Sequence, residues 1–167
     1  VLMALLMAMT AMSFDIMLPP LPEIGAALGA KADNDRQQVV IVYMLGMAVG
    51  QLFWGPISDR IGRRIPLIAG LSMFVAASLV ATFATSFPML LAARMMQGFG
   101  GGSARTISTA IVRDRFVGRQ MARIVSTIMM VFIMVPVFAP AVGQGVIALG
   151  SWKSTFHVLL LAGATAA

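Results

Sequence analysis

Three charged residues stand inside long apolar runs of this 167-residue chain: Asp15, Arg94 and Arg105. A charge at the centre of a membrane helix costs about 2.5–3.5 kcal/mol, so such a residue faces a bundle interior or a water-filled cavity. A carboxylate placed there can take up and release a proton. A guanidinium beside it either tunes that exchange or bolts two helices together as an ion pair. Asp15 lies four residues before Pro19-Pro20, and Arg94 lies six residues after Pro88. At about 1.5 Å per residue, both sit roughly 6–9 Å below the same membrane surface, where they can pair or share a pocket. Arg105 is deeper, towards the opposite surface, and reads as a side chain that snorkels or makes a structural contact.

Other chemistries find no footing. The chain has no cysteine and one histidine, His157, which excludes disulfide frameworks, Cys-based zinc sites and His-rich metal sites. No nucleophile elbow, phosphate loop or metal-ligand cluster can be assembled, so neither catalytic residues nor a cofactor are expected, and an enzyme is not expected either. Apolar residues make up 59% of the chain and charged ones only 11%, with a mean hydropathy of +0.92. A soluble domain carries about 25% charged residues, which excludes both that class and a disordered chain. The net charge of +6 gathers in two short loops between apolar runs. It therefore points to lipid headgroups rather than to nucleic acid.

The elements that must position Asp15 and Arg94 are membrane helices, each needing about 20 apolar residues. Six runs qualify as spans, over 1–18, 37–55, 65–87, 88–112, 124–148 and 154–167, the last cut short. The expected fold is thus an all-α membrane protein, with residues 1–167 forming one six-helix unit of a longer chain. Arg60, Arg63 and Arg64 fall between spans two and three, and Arg113, Arg115, Arg119 and Arg123 between spans four and five. The other side holds Lys31, Arg36 and Lys153, mixed with Glu23, Asp33 and Asp35. Lys/Arg excess marks cytoplasmic loops, which places the 2–3 and 4–5 loops in the cytoplasm and the Pro19–Asp35 segment outside.

Within the spans, Gly46-x3-Gly50 and Gly98-x3-Gly102 allow two helices to approach closely. The run from Gly98 through Gly100 to Gly102 reads either as tight packing or as a bending element. Pro136 and Pro140, followed by Gly143, free backbone carbonyls and bend span five. Fifteen methionines are spread over the spans. Methionine suits adaptable binding surfaces, and Met12, Met44 and Met47, with Gln97, are expected near a cavity. His157 reads as a packing or helix-end residue.

The stretch Gly55-Pro56-Ile57-Ser58-Asp59-Arg60-Ile61-Gly62-Arg63-Arg64 is a short basic turn between spans. Asp59 is favoured near a helix start by the dipole, Gly62 permits a tight turn, and the arginines anchor at anionic headgroups. Its order closely resembles the 2–3 loop signature of the major facilitator superfamily, G-x-L-x-D-R-x-G-R-R, with Ile57 in the usual leucine position. Arg94-Met95-Met96-Gln97-Gly98-Phe99-Gly100 is similar to that family's R-x-x-Q-G-x-G. Asp15-Ile16-Met17-Leu18-Pro19-Pro20-Leu21-Pro22 resembles the first-helix motif of drug:proton antiporters, and Ala110–Phe116 resembles the end of span four in Bcr/CflA-type drug exporters. One motif departs: where antiporters show G-x-x-x-G-P-x-x-G-G, this chain keeps Pro140 and Gly143 but carries Val135, Ala139 and Gln144.

The resemblance implies a twelve-helix inner-membrane transporter built of two six-helix halves, of which this chain is the N-terminal one. It implies a substrate site between the halves near the midplane, lined by helices one and four, the helices that carry Asp15 and Arg94. The Gly55–Arg64 motif would act as a gate on the cytoplasmic side. The expected partners are the lipid bilayer, the C-terminal half and a small substrate.

Three functions fit: a proton-coupled exporter of small amphipathic compounds, an importer or uniporter of a sugar or metabolite, and a non-transporting half that assembles with a partner. The spans offer few polar side chains among many methionines, which favours an apolar, loosely defined substrate and hence the exporter.

Overall fold

The computed structural model describes residues 2–29, 33–149 and 152–166, and these residues form helices only. In chain order they are α1 (Leu2–Asp15), α2 (Leu21–Leu28), α3 (Asp33–Ile61), α4 (Arg64–Thr82), α5 (Phe87–Arg115), α6 (Gly118–Leu149) and α7 (Trp152–Ala166). Three stretches among the described residues, Gln37–Ile61, Arg64–Thr82 and Gly118–Val146, are long and apolar enough to cross a membrane, and Met3–Asp15 is a shorter apolar helix. Lys31 lies outside the described residues.

Most of the expected spans correspond to helices that run further than the apolar stretch. Helix α3 continues six residues past 55, carrying Pro56 inside it, and α6 starts at Gly118 rather than near 124. Hydropathy reports the width of the hydrocarbon layer, whereas a helix ends where a turn residue stops it. Two ends are earlier than expected. Helix α1 stops at Asp15, and a turn carries the chain through Ile16–Pro20. Helix α4 stops at Thr82, so Phe87 opens α5 with Pro88 in its first turn. The segment read as a plain outer loop contains α2, which has Pro22 in its first turn and ends at Gly29 in the left-handed conformation. Proline early and glycine just past the end are helix-start and helix-stop signals.

Helix α5 is the centre of the bundle, packing most extensively on α3, then α4, and more lightly on α1; α6 packs on α1 and α7 on α4. The α3–α5 seam is made by the two glycine pairs. A methyl added to Gly46 would land on the Met95 carbonyl oxygen, and one on Gly50 would land on that of Phe99. Reciprocally, a methyl on Gly98 would strike the Tyr43 carbonyl, and one on Gly102 would come within 2.9 Å of the Met47 oxygen. Gly100 fits against Gly70 and Phe74 of α4 in the same manner. Helix α5 runs unbroken through all of them, so Gly98 and Gly100 serve close packing here. The main core gathers Leu6, Ile16, Tyr43, Leu71, Phe74, Leu90, Phe156 and Leu159, all essentially inaccessible.

Candidate functional site

Helices α1 and α5 run antiparallel: Ser13 meets Arg94, and Thr10 lies beside Gly101. Arg94 is completely buried. Its guanidinium donates to the Gln97 side-chain oxygen at 2.6 Å, to the Ser13 main-chain oxygen at 3.0 Å and to the Val39 main-chain oxygen at 3.4 Å. It also lies over the Tyr43 ring, 4.6 Å from the centroid. Gln97 passes the network on, its amide donating to the Ser78 hydroxyl at 2.7 Å. One arginine thus joins α1, α3, α5 and, through Gln97, α4.

Asp15 and Arg94 were expected to pair or to share a pocket. Among the described residues they form no ion pair, and Arg94 does not line the cavity that Asp15 lines. The reason is geometric. Helix α1 ends at Asp15, so no amide in the following turn is placed to bond the Ser13 oxygen: Met17 bonds instead to Phe14 and Leu18 to Asp15. Arg94 takes up that orphaned carbonyl.

Asp15 instead lines a cavity of about 250 Å³ with Thr10, Ala11, Phe14, Tyr43, Met44, Met47, Arg105, Phe132 and Pro136. Met44 and Met47, expected near a cavity, are among these lining residues. Met12 does not line the cavity and packs against the main core. Gln97 is consumed by Arg94 and Ser78, away from the cavity. Arg105, expected to snorkel or to make a structural contact, lines the cavity opposite Asp15 with its guanidinium 5.1 Å from the Phe132 ring centroid. Which side of α5 carries Arg105 inward depends on the helix's rotation, which the glycine contacts with α3 set. Pro136 contributes to the wall, and Gly143 backs onto the end of α1, where an added methyl would lie 2.9 Å from the Ile16 oxygen. Helix α6 stays continuous through Pro136 and Pro140.

At the basic end of the bundle, Gly62 adopts a φ of +89°, the left-handed conformation that its turn demands. That turn brings Arg63 back on Asp59, with which it pairs, and its Nη1 also donates to the Ser58 hydroxyl at 2.7 Å. The Ser58 hydroxyl in turn donates to the Gly55 oxygen at 2.8 Å. Asp59 stands in the last turn of α3 rather than at a helix start, and it reaches the beginning of α4 only through its pair with Arg63, the residue before that helix. Arg63 Nε also reaches Asp114 at the end of α5, 2.9 Å away. The hydrogen bond that Arg63 donates to Asp114, and the one it donates to Asp59, hold its guanidinium above its ordinary range, against a lowering by desolvation. Arg60 and Arg64 are exposed. Asp114 is the member of this cluster that sequence reasoning missed, although it sits in the Ala110–Phe116 stretch singled out there. A polar groove of about 600 Å³ runs from Asp59, Arg63 and Asp114 to Arg105, which borders both it and the apolar cavity.

A helical membrane bundle with an acidic and a basic side chain lining one cavity suits a carrier. The family model of the Major Facilitator Superfamily matches residues 3–167, and the chain belongs to that family of transporters. It is similar to the uncharacterized MFS-type transporter YdgK of Bacillus subtilis, 35% identical over 97% of this chain and 40% of that protein. It is also similar to the bicyclomycin resistance protein homolog of Haemophilus influenzae, 35% identical over 92% of this chain and 38% of that protein. Multidrug resistance protein D of Escherichia coli is 33% identical over 96% of this chain and 40% of its own length. The chain spans about 40% of the length of the relatives it matches.

Proposed function

We propose that this chain is the N-terminal, six-span half of a twelve-helix carrier that exports small amphipathic compounds, drugs or toxic metabolites, across the inner membrane in exchange for protons. The observation that carries the reading is Asp15. It is a carboxylate at the wall of a cavity whose other lining, apart from Thr10 and Arg105, is methionine, aromatic and small apolar side chains, and it has no ion pair among the described residues. A proton is the counter-charge such a group can accept and give up as the cavity alternates between the two sides. The names of the relatives, resistance proteins in two of the three cases, agree with export of drugs. In this reading the basic end, with Asp59, Arg63 and Asp114, faces the cytoplasm and closes against the C-terminal half. Helix α6 would bend at Pro136, Pro140 and Gly143 as the cavity opens. Arg94 acts through Ser13, as the residue that holds the end of α1 and hence the position of Asp15.

The test is Asp15→Asn in the full-length protein, in inverted membrane vesicles energised by a proton gradient and loaded from outside with an amphipathic dye. Gradient-driven dye accumulation falls to background, while dye binding to the purified protein persists in part. Accumulation that survives with an unchanged pH dependence would remove Asp15 as the coupling site.

A further inference from the structure

We infer that the cavity is built for zwitterionic compounds, with a basic group held at Asp15 and an acidic group held at Arg105. This rests on the transport reading above and narrows its substrate class.

The two charges lie at opposite ends of one apolar chamber and on different helices. Thr10 and Gly101 mark a common level: a methyl on Gly101 would sit 3.6 Å from the Thr10 methyl and 3.2 Å from the Tyr43 hydroxyl. From that level, Asp15 lies five residues towards the Pro19 end along α1, and Arg105 lies four residues towards the basic end along α5. Nine residues at about 1.5 Å each separate the two backbones by about 13 Å along the bundle. Helical side chains lean towards the N-terminus of their own helix. Because α1 and α5 are antiparallel, the carboxylate and the guanidinium lean towards each other, and a ligand shorter than that span reaches both.

Neither charge is used up. Among the described residues the Asp15 carboxylate has no hydrogen bond or ion pair, and Arg105 presents its guanidinium to the Phe132 ring. Arg94, by contrast, spends its donors on Ser13, Val39 and Gln97 and is closed to an incoming anion. An acidic group entering the cavity therefore meets Arg105. A monocation would leave Arg105 unpaired, and a monoanion would leave Asp15 with no partner other than a proton; an unpaired charge at this depth costs several kcal/mol. A compound carrying both signs leaves neither. Phe14, Met44, Met47 and Phe132 between the two ends offer flat and adaptable surface to its body.

The test uses two dyes that share one scaffold: rhodamine B, zwitterionic through its free carboxylate, and its ethyl ester, a cation. Binding to the purified full-length protein is followed by fluorescence anisotropy, with transport measured separately. Arg105→Gln weakens rhodamine B binding about ten- to a hundredfold and changes ester binding by less than about threefold. Arg105→Lys, which keeps the charge, retains the preference for the zwitterion. Equal weakening of both dyes in Arg105→Gln overturns the assignment, as does failure of the unsubstituted protein to bind either dye. If Arg105→Gln does not assemble, Arg105→Lys decides: a retained preference for rhodamine B over its ester supports the assignment, and a preference abolished overturns it. The expected discrimination in binding, found without any gradient-driven accumulation, would leave this assignment standing and overturn the export reading.

Discussion

Arg94 donates a 3.0 Å hydrogen bond to the main-chain oxygen of Ser13, two residues before Asp15, across 81 residues of chain. The bond ties the centre of the bundle to the last turn of α1.

Replacing Arg94 removes that tie. Arg94→Gln leaves the Ser13 and Val39 oxygens and the Gln97 side chain without their donor in a site closed to water. We expect a loss of at least about 3 kcal/mol, at about 1–3 kcal/mol for each of the three buried groups left unpaired. Arg94→Lys restores a charge but not the forked geometry and recovers only part of it. Reversible unfolding in mixed micelles measures both variants. An Arg94→Gln protein of unchanged stability that had lost only gradient-driven transport would argue for a direct coupling role.

The glycines of α3 and α5 divide sharply from one on α6. Gly46→Ala and Gly98→Ala each place a methyl on a facing backbone carbonyl and push the two helices apart. Overpacking of this kind costs about 1–3 kcal/mol or more. At Gly145 an added methyl meets nothing. Gly145→Ala is therefore expected to stabilise by about 0.5–1 kcal/mol through the usual helix preference. Thermal melts of the three single variants, ranked against the parent, decide the matter.

The Asp59–Arg63–Asp114 cluster is an exposed one. The side chains of Asp59 and Asp114 are 63% and 52% exposed, so a double-mutant cycle on Arg63→Gln and Asp114→Asn should return a coupling of about 1 kcal/mol or less. That coupling shrinks in ~1 M salt. The folded state raises the Arg63 ionisation range. Its stabilisation is thus fully present below the ordinary arginine range and is lost only as pH climbs through the raised one. No decline attributable to Arg63 is expected between neutral pH and that alkaline limit. A pH titration of unfolding free energy checks this.

Thr155 on α7 is fully buried, and its hydroxyl has no hydrogen-bond partner among the described residues. Thr155→Val keeps the shape and removes the desolvated hydroxyl, so stability is expected to rise by about 1 kcal/mol. A loss of similar size would mean that the hydroxyl is bonded in the membrane-embedded protein. The melt of this one variant distinguishes the two.

What could be read from residues alone followed from how local the signal is. The Gly62 turn is a short-range pattern whose backbone conformation selects its residue type, and it was legible, whereas the pairing of Arg63 with Asp59 and Asp114 was not. The glycine pairs of α3 and α5 were legible as close-approach faces because spacing alone puts each pair on one side of a helix. The inward placement of Asp15 followed from the cost of exposing it to lipid. The partners of Arg94 were not legible, since two of the three acceptors are main-chain oxygens, which every residue carries and no side chain announces. Arg105 was read as a snorkelling or structural side chain, and its place on the cavity wall was not legible because its direction depends on the rotation of α5, a property of the packed bundle. Helix α2 was passed over because its eight residues are too few to register as a membrane span, although Pro22 in a first turn and Gly29 just past the end are helix signals.

The contact between α3 and α5 has a mechanical corollary. Where Gly46 faces Met95 and Gly98 faces Tyr43, backbone rests on backbone, and the two rods are keyed to one another like a splined shaft in its sleeve. Turning α5 about its own axis would swing the side chains of Met95 or Phe99 into a slot with room for hydrogen alone. Whatever displaces α5 must therefore carry α3 with it. Arg105 at the chamber wall and Asp114 at the basic end then ride on a single two-helix beam, with Asp59 at the end of its other rod.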